Sequence, residues 1–205
     1  LPDLQISPED ARKLKRIVIV ACGTSAYAGL VGKFIIEDLT RLPVEVDYGS
    51  EYRYRDPILD ENCAVLVITQ SGETVDTLAA MEEGRNREAT VWSIVNVLGS
   101  QAMRMADGFI SMQTGPEIGV ASTKAFTAQL TALYLFGLFF AGMRKTITVG
   151  DLKEKLADLV HIPALVERCL EDNEGIEQIA KLFFKANDFL YLGRGPNFPV
   201  ALEGA

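Results

Sequence analysis

The sequence predicts an α/β fold: a doubly wound parallel sheet of five strands with helices packed on both faces. Short runs of β-branched and apolar residues recur along the chain, and stretches with helical spacing separate them. Several of these runs end in polar loops that contain glycine. Unbroken apolar runs are typical of strands buried on both faces, and their alternation with helices is typical of a parallel sheet.

The first three predicted strands are residues 17–21, 42–46 and 64–68. The first and third are continuous apolar runs, and the second is short. After the first strand, small and apolar residues continue at helical spacing to Leu39. After the third, a helix is expected to extend to about Asn86.

Two more strands are predicted at Thr90–Val95 and at residues 108–112, and a long apolar helix follows from Thr123 to about Met143. The apolar stretch of this helix is far shorter than the ~20 residues that a membrane span needs, so we interpret it as a core helix. Five strands at this spacing fit a flavodoxin-like domain over residues 12–147.

Residues 148–187 are predicted to form connecting helices. The stretch 151–170 is amphipathic, and Pro163 inside it should kink or break the helix. A second helix is expected at about 174–185. The apolar face of the first stretch consists of Leu152, Leu156, Leu159, Ile162, Val166 and Cys169. Because faces of this kind rarely stay uncovered, we expect another domain or a second subunit to cover it, with a homodimer as the default.

Residues 188–205 are similar to the opening of the predicted domain. A strand over 189–192, a glycine-containing turn and a helix follow one another as they do over residues 17–29. This repeat of one β-α unit predicts tandem domains, with 188–205 as the start of the second. Since the chain begins without Met and stops inside the last helix, we expect it to be a piece of a longer protein.

Composition excludes several classes of partner. The formal net charge is −8 and no run of basic residues occurs, so nucleic acid and anionic membranes are poor candidates. Cys22, Cys63 and Cys169 have neither metal-ligand spacing nor the pattern of a disulfide framework. We therefore expect free thiols in a cytoplasmic protein without a metal site. No signal peptide, P-loop or dinucleotide-binding glycine motif occurs, and no cofactor is expected.

Two polar loops predict an anion-binding crevice. In a sheet of order 2-1-3-4-5, ligands bind beyond the carboxyl ends of the first and third strands, where the strand order reverses. Residues 23–25 (G-T-S) and 69–74 (T-Q-S-G-E-T) follow these strands, and each loop opens a helix. Helix N–H groups and dipoles favour an anion there, and Gly23 and Gly72 let the backbone approach it. The same hydroxyls also suit ordinary helix caps, which is the alternative interpretation.

Other polar residues have simpler interpretations. Glu73 would repel a phosphate, so we expect it to point away and to support the N-terminus of its own helix. In the loop 117–124, Ser122 or Thr123 suits a cap of the long helix and Lys124 a surface charge. His161, the only histidine, lies in the connecting helices, so no His-based catalytic arrangement can be built at the crevice.

Five strings occur in one order along nearly the whole chain. They are C-G-T-S at 22–25, E-x-R-Y-R at 51–55, Q-S-G-E-T at 70–74, E-I-G-V-A-S-T-K-A-F-T at 117–127 and L-G-R-G…A-L-E-G-A at 192–205. Q-S-G-E-T is common to many SIS (sugar isomerase) domains, and the fourth string is much more specific. Together the strings resemble the first isomerase domain of the glucosamine-6-phosphate synthase family, the glutamine–fructose-6-phosphate aminotransferases.

The resemblance implies a sugar-phosphate site and its residues. The phosphate would be held by Ser25, Thr69, Gln70, Ser71 and Thr74, and the sugar would contact Gly23, Thr24, Val120 and Ser122. Members of this family convert fructose 6-phosphate and glutamine to glucosamine 6-phosphate and glutamate. In them a glutaminase domain releases ammonia, and two tandem SIS domains aminate and isomerise the sugar.

By the same resemblance, the catalytic Glu, the ring-opening His and the C-terminal Lys of the family fall outside this chain. We therefore expect the chain to bind fructose 6-phosphate or glucosamine 6-phosphate weakly without catalysis. The alternatives are a sugar-sensing SIS module of a transcription regulator, another sugar-phosphate isomerase, and a flavodoxin-like mononucleotide binder. The last would need aromatic stacking residues, and the two crevice loops contain none.

Overall fold

The computed structural model describes residues 1–118, 122–171 and 173–205. Five strands form one parallel sheet in the order β2-β1-β3-β4-β5. The strands are β1 (Arg16–Ala21), β2 (Val44–Tyr48), β3 (Cys63–Thr69), β4 (Thr90–Val95) and β5 (Gly108–Ser111). The strand order reverses between β1 and β3, so the predicted fold class is confirmed.

Helices cover both faces of this sheet. They are α1 (Pro8–Lys13), α2 (Thr24–Thr40), α3 (Gly49–Tyr52), α4 (Val75–Asn86), α5 (Gln101–Met105), α6 (Lys124–Arg144), α7 (Val149–Leu170), α8 (Asn173–Phe183) and α9 (Asn197–Gly204), after a 3₁₀ turn at Pro2–Leu4. The second strand begins at Val44, two residues after its predicted start at Leu42. Pro43 has no N–H for the ladder, although its carbonyl accepts from Ile17 N.

The two faces of the sheet bury different side chains. Ile17 and Ile19 of β1 point toward α2 and α6, and Val18 and Val20 point toward α4 on the other face. On the first face, the Trp92 ring of β4 makes edge contacts with Phe136 and Phe140 of α6 at centroid distances of 5.8 and 5.2 Å. The Trp92 Nε1–H donates to the Leu4 carbonyl at 3.2 Å, which joins the N-terminal turn to the core.

Among the described helices, α6 alone is long and apolar enough to cross a membrane by length and composition. The prediction that its apolar stretch is far shorter than a membrane span is therefore wrong for α6, which has 21 residues. Its packing decides the interpretation, since Leu133, Phe136 and Phe140 are fully buried against the sheet and α2. We keep the interpretation of α6 as the central helix of the core.

The connecting region departs from one expectation. Pro163 lies inside α7, yet the helix continues unbroken from Val149 to Leu170. Proline removes the hydrogen bond to the carbonyl four residues earlier, that of Leu159. The turns around Pro163 lie at the protein surface, where water can reach a freed carbonyl, so the helix tolerates the proline.

The predicted strand at 189–192 is wrong for the described chain. These residues have no regular secondary structure, and their side chains are exposed, with Leu190 and Leu192 more than four-fifths accessible. A strand is stable only when a neighbour accepts and donates its backbone hydrogen bonds, and none of the described strands lies beside this segment. The helix expected after it does form, as α9, and packs on α2.

Candidate functional site

The carboxyl ends of β1 and β3 meet at a cavity of about 210 Å³. It is lined by Cys22, Ser25, Ile68, Thr69, Gln70, Ser71, Thr74 and Thr77. This set contains all five side chains that the resemblance assigns to the phosphate. Hydroxyl groups predominate, and none of these lining residues carries a charge. An anion in this cavity would be held by hydroxyl and backbone dipoles.

The loop between β3 and α4 is folded by its own polar groups. Thr69 Oγ1 accepts from Gly72 N at 3.2 Å and lies 3.4 Å from Thr74 Oγ1. Ser71 Oγ accepts from Glu73 N at 3.2 Å, which leaves the hydroxyl proton of Ser71 to donate elsewhere. The loop thus presents hydroxyl groups to the cavity while its backbone is fixed.

Gly72 is required for this loop. Its φ of +71° is in the left-handed region, which residues with a side chain rarely adopt. A Cβ at this position would lie 2.1 Å from Ser100 Oγ. The Gly72 carbonyl accepts from Ala102 N at 2.9 Å, so the loop is seated directly on α5.

The helix starts beside the cavity do not use side-chain caps. Gly23, with φ +54°, is the N-cap of α2, and Thr74 is the N-cap of α4, and neither provides a side-chain capping hydrogen bond. The capping alternative from the sequence therefore does not describe Thr74. The positive ends of two helix dipoles and the Thr74 hydroxyl, which does not act as a cap, face the same region, which favours an anion.

We predicted that Glu73 supports the N-terminus of its own helix, α4, but it supports that of α5 instead. Its Oε1 accepts from Gln101 N at 2.8 Å, at the start of α5. The carboxylate thus stabilises an N-terminus, as expected from the helix dipole, while joining the loop 69–74 to the next βα unit. The sequence does not reveal this partner because 28 residues separate the two positions.

The third loop is described only in part. Val120, a predicted sugar contact, lies outside the described residues. Ser122 is partly buried and is not among the residues that line the cavity. Thr123 is the N-cap of α6 without a side-chain hydrogen bond, and Glu117 Oε2 instead accepts from Ala125 N at 3.2 Å. The sequence pattern pointed to Ser122 or Thr123 as the cap of this helix, and not to Glu117.

A carboxylate of α9 is bonded to Thr24, the neighbour in sequence of the cavity residue Ser25. Thr24 Oγ1 donates to Glu203 Oε1 at 2.9 Å, and both residues are partly buried. Thr24 is the first residue of α2, and Glu203 lies on α9, within the A-L-E-G-A string. Neither Gly23 nor Thr24 lines the cavity itself among the described residues. His161 is exposed on α7.

Comparison with known proteins places the chain in a family. The family model of the SIS domain matches residues 12–138. The chain belongs to the SIS domain family. The match ends within α6. The predicted domain boundaries after residues 147 and 187 stay a prediction.

Relatives of this SIS domain include glutamine–fructose-6-phosphate aminotransferases (isomerizing). The enzyme of Clostridium tetani is 46% identical over 205 residues, 100% of this chain. That of Chlorobaculum tepidum is 49% identical over 194 residues, 95% of this chain. The chain spans about a third of the length of these relatives, 34% and 31% respectively. The resemblance recognised from the five strings is confirmed.

Solved structures agree. The C-terminal domain of glucosamine-fructose-6-phosphate aminotransferase from Francisella tularensis has a TM-score of 0.93 and 39% identity, over 100% of this chain and 59% of that one. Glucosamine-6-phosphate deaminase from Thermotoga maritima has a TM-score of 0.70 at 20% identity, over 93% of this chain and 56% of that one. The second similarity shows the fold alone.

Proposed function

We propose that this SIS domain binds a hexose 6-phosphate, fructose 6-phosphate or glucosamine 6-phosphate, as part of a glutamine–fructose-6-phosphate aminotransferase. The observation that carries the proposal is the cavity at the ends of β1 and β3. Its lining unites Ser25, Thr69, Gln70, Ser71 and Thr74 in about 210 Å³. The names and identities of the relatives support the choice of substrate class.

The proposed roles follow from hydrogen-bond chemistry. The hydroxyl protons of Ser25 and Ser71 donate to phosphate oxygens, because the oxygen atom of each already accepts a bond from the protein. The N-termini of α2 and α4 contribute their dipoles. Gly23, Thr24, Val120 and Ser122 remain the proposed contacts of the sugar. The absence of aromatic rings among the lining residues favours a sugar phosphate over a flavin nucleotide.

The proposed role of this chain by itself is binding without catalysis. Moving a proton between two sugar carbons needs a base within hydrogen-bond distance of the substrate. The described lining of the cavity offers hydroxyls, an amide and the Cys22 thiol, and Glu203, which is not part of this lining, accepts a hydrogen bond from Thr24. In the complete protein, a glutaminase domain and a second SIS domain supply the remaining groups.

The proposed assembly is a cytoplasmic homodimer that contacts neither nucleic acid nor membrane. Cys22, Cys63 and Cys169 are free thiols, which suits a reducing compartment. The connecting helices expose apolar side chains, among them Val160 on α7 and Leu182 on α8, each accessible over more than two-thirds of its surface. A second subunit or the second SIS domain covers this surface. Light scattering of the purified chain measures the assembly directly.

Isothermal titration of the purified chain tests the proposed ligand. Fructose 6-phosphate should bind saturably, whereas fructose and FMN should not. Ser71→Ala and Thr74→Val should each weaken binding several-fold, because each removes one donor to a charged group. Thr131→Val, at an exposed position of α6, is the matched control and should leave binding unchanged. Binding of fructose as tightly as its phosphate, or no effect of either crevice variant, would contradict the proposal.

A further inference from the structure

Asn96 connects the loop 69–74, here called the phosphate loop after its proposed role, to the loop that follows β5. It is the first residue after β4, and its backbone N–H donates to the Gln70 carbonyl at 3.3 Å. Its side-chain Oδ1 accepts from Thr114 N at 2.8 Å and from Thr114 Oγ1 at 3.0 Å. Its Nδ2 donates to the Gly115 carbonyl at 2.7 Å.

The orientation of this amide follows from its partners. A backbone N–H can only donate and a backbone carbonyl can only accept, so Oδ1 must face Thr114 and Nδ2 must face Gly115. Three side-chain hydrogen bonds converge on two consecutive residues. No isosteric side chain reproduces this pattern, because a carboxylate lacks the donor and an aliphatic chain lacks both groups.

The segment held by Asn96 has a backbone that depends on outside contacts. Gln113 has φ +52° and Gly115 has φ +69°, so two residues within three adopt left-handed conformations. Such conformations cost free energy for a residue with a side chain and persist where neighbouring contacts fix them. The same segment continues to Glu117, whose carboxylate accepts from Ala125 N at the start of α6.

We propose that Asn96 is a positioning residue: it fixes the segment 113–118 relative to the phosphate loop and, through the bond from Ala125 N to Glu117, the start of α6 near Ser122. This inference rests on the proposed function. Asn96 touches neither part of the substrate; it sets the distance between the groups that hold the phosphate and the proposed contact of the sugar. Its loss therefore affects recognition of the sugar more than that of the phosphate.

Two ligands separate these effects. Inorganic phosphate probes the phosphate loop alone, and fructose 6-phosphate probes both loops. We expect Asn96→Asp and Asn96→Ser to weaken fructose 6-phosphate about tenfold, a loss equivalent to one or two net hydrogen bonds. Phosphate affinity should change less than about twofold in Asn96→Ser. Asn86→Asp, at the exposed end of α4, makes the same chemical change away from the crevice and should alter neither affinity.

The outcomes distinguish this inference from the proposed function. If the unchanged chain binds neither ligand, the proposed function fails and the inference with it. If the unchanged chain binds both ligands and Asn96→Ser weakens both equally or neither, the inference alone is overturned.

Amide hydrogen exchange of the unchanged chain gives a test that does not depend on the folding of a variant. The Thr114 amide should exchange slowly, because Asn96 Oδ1 accepts its proton. Its protection should rise with fructose 6-phosphate and stay constant with inorganic phosphate. Fast exchange of this amide, or equal protection by both ligands, would overturn the role of Asn96.

Discussion

Gln129 on α6 donates a hydrogen bond from Nε2 to Ser25 Oγ on α2, at 2.8 Å and across 104 residues of sequence. Both side chains are buried, with 1% of Gln129 and 9% of Ser25 accessible. Because the Ser25 oxygen accepts this bond, its own proton is free to donate into the cavity. The core helix α6 therefore sets the hydrogen-bonding direction of a proposed phosphate contact.

Gln129→Met should weaken fructose 6-phosphate about three- to tenfold. Methionine keeps the volume and length of the side chain but lacks the donor, so the Ser25 hydroxyl loses its fixed orientation. The effect should be smaller than that of Ser25→Ala, which removes the contact itself. Isothermal titration measures both variants. Gln178→Met, at an exposed position of α8, is the control and should bind like the unchanged chain. If Gln129→Met binds fructose 6-phosphate as tightly as the control variant does, the orienting role is excluded.

The sequence was most informative where local pattern and burial agree. The runs that form β1 and β3 are apolar on both faces, which is typical of buried parallel strands. The strand order expected for such a sheet then predicted the crevice at their carboxyl ends. Gly72 and the hydroxyls of residues 69–74 were recognisable because a tight polar loop after such a strand has few other uses. These features depend on residues close together in the chain.

Long-range contacts account for what sequence analysis missed. The partners of Gln129, Glu73 and Glu203 lie 104, 28 and 179 residues away, and no local pattern encodes such pairs. The predicted strand at 189–192 has the right composition, but a strand also needs a neighbour, which composition cannot report. Pro163 was expected to disturb α7 because its sequence gives no sign of how exposed the helix is there.

Replacement of Gly72 should be more destabilising than replacement of another glycine with the same backbone conformation. Gly72 and Gly99 have φ of +71° and +74°, so alanine costs about 1–2 kcal/mol of conformational strain at either site. At Gly99 a Cβ meets nothing within 4 Å, whereas at Gly72 it lies 2.1 Å from Ser100 Oγ. Overpacking should add about 1–3 kcal/mol in Gly72→Ala.

Urea denaturation compares the two glycine variants, with Gly99→Ala as the internal measure of strain. Gly72→Ala should also lose binding of fructose 6-phosphate, because a displaced loop moves Ser71. Equal unfolding free energies for the two variants would mean that the loop relaxes away from Ser100 without cost.

Tyr52 should limit stability at alkaline pH. Its side chain is fully buried, its hydroxyl has no hydrogen-bond partner among the described residues, and burial raises the pKa of that hydroxyl well above its usual range. In the unfolded chain, Tyr52 ionises at pH ~10. Above that pH the unfolded state loses a proton that the folded state retains, so the free energy of unfolding falls as pH rises.

Tyr52→Phe should remove this alkaline loss and leave stability at pH 7 unchanged or higher by about 1 kcal/mol, since it deletes a buried group without a partner. Denaturation with urea at pH 7 and at pH 10.5 measures both effects. Tyr54→Phe is the control, because it makes the same chemical change at a side chain that is 78% exposed. An alkaline loss in Tyr52→Phe as large as that of the unchanged chain would contradict the role of burial.

Glu203 should hold α9 against α2. The hydrogen bond from Thr24 Oγ1 to Glu203 Oε1 joins the last helix to the first residue of α2, and a carboxylate acceptor makes it stronger than a neutral bond. Glu203→Ala should therefore speed amide exchange in Asn197–Gly204 by about tenfold while leaving the strands unchanged. Thr24→Val should have a similar effect, and the double variant should add little to either, because both remove one interaction. Additive effects of the two changes would mean that α9 is held by its apolar packing on α2, and that the Thr24–Glu203 bond contributes nothing of its own.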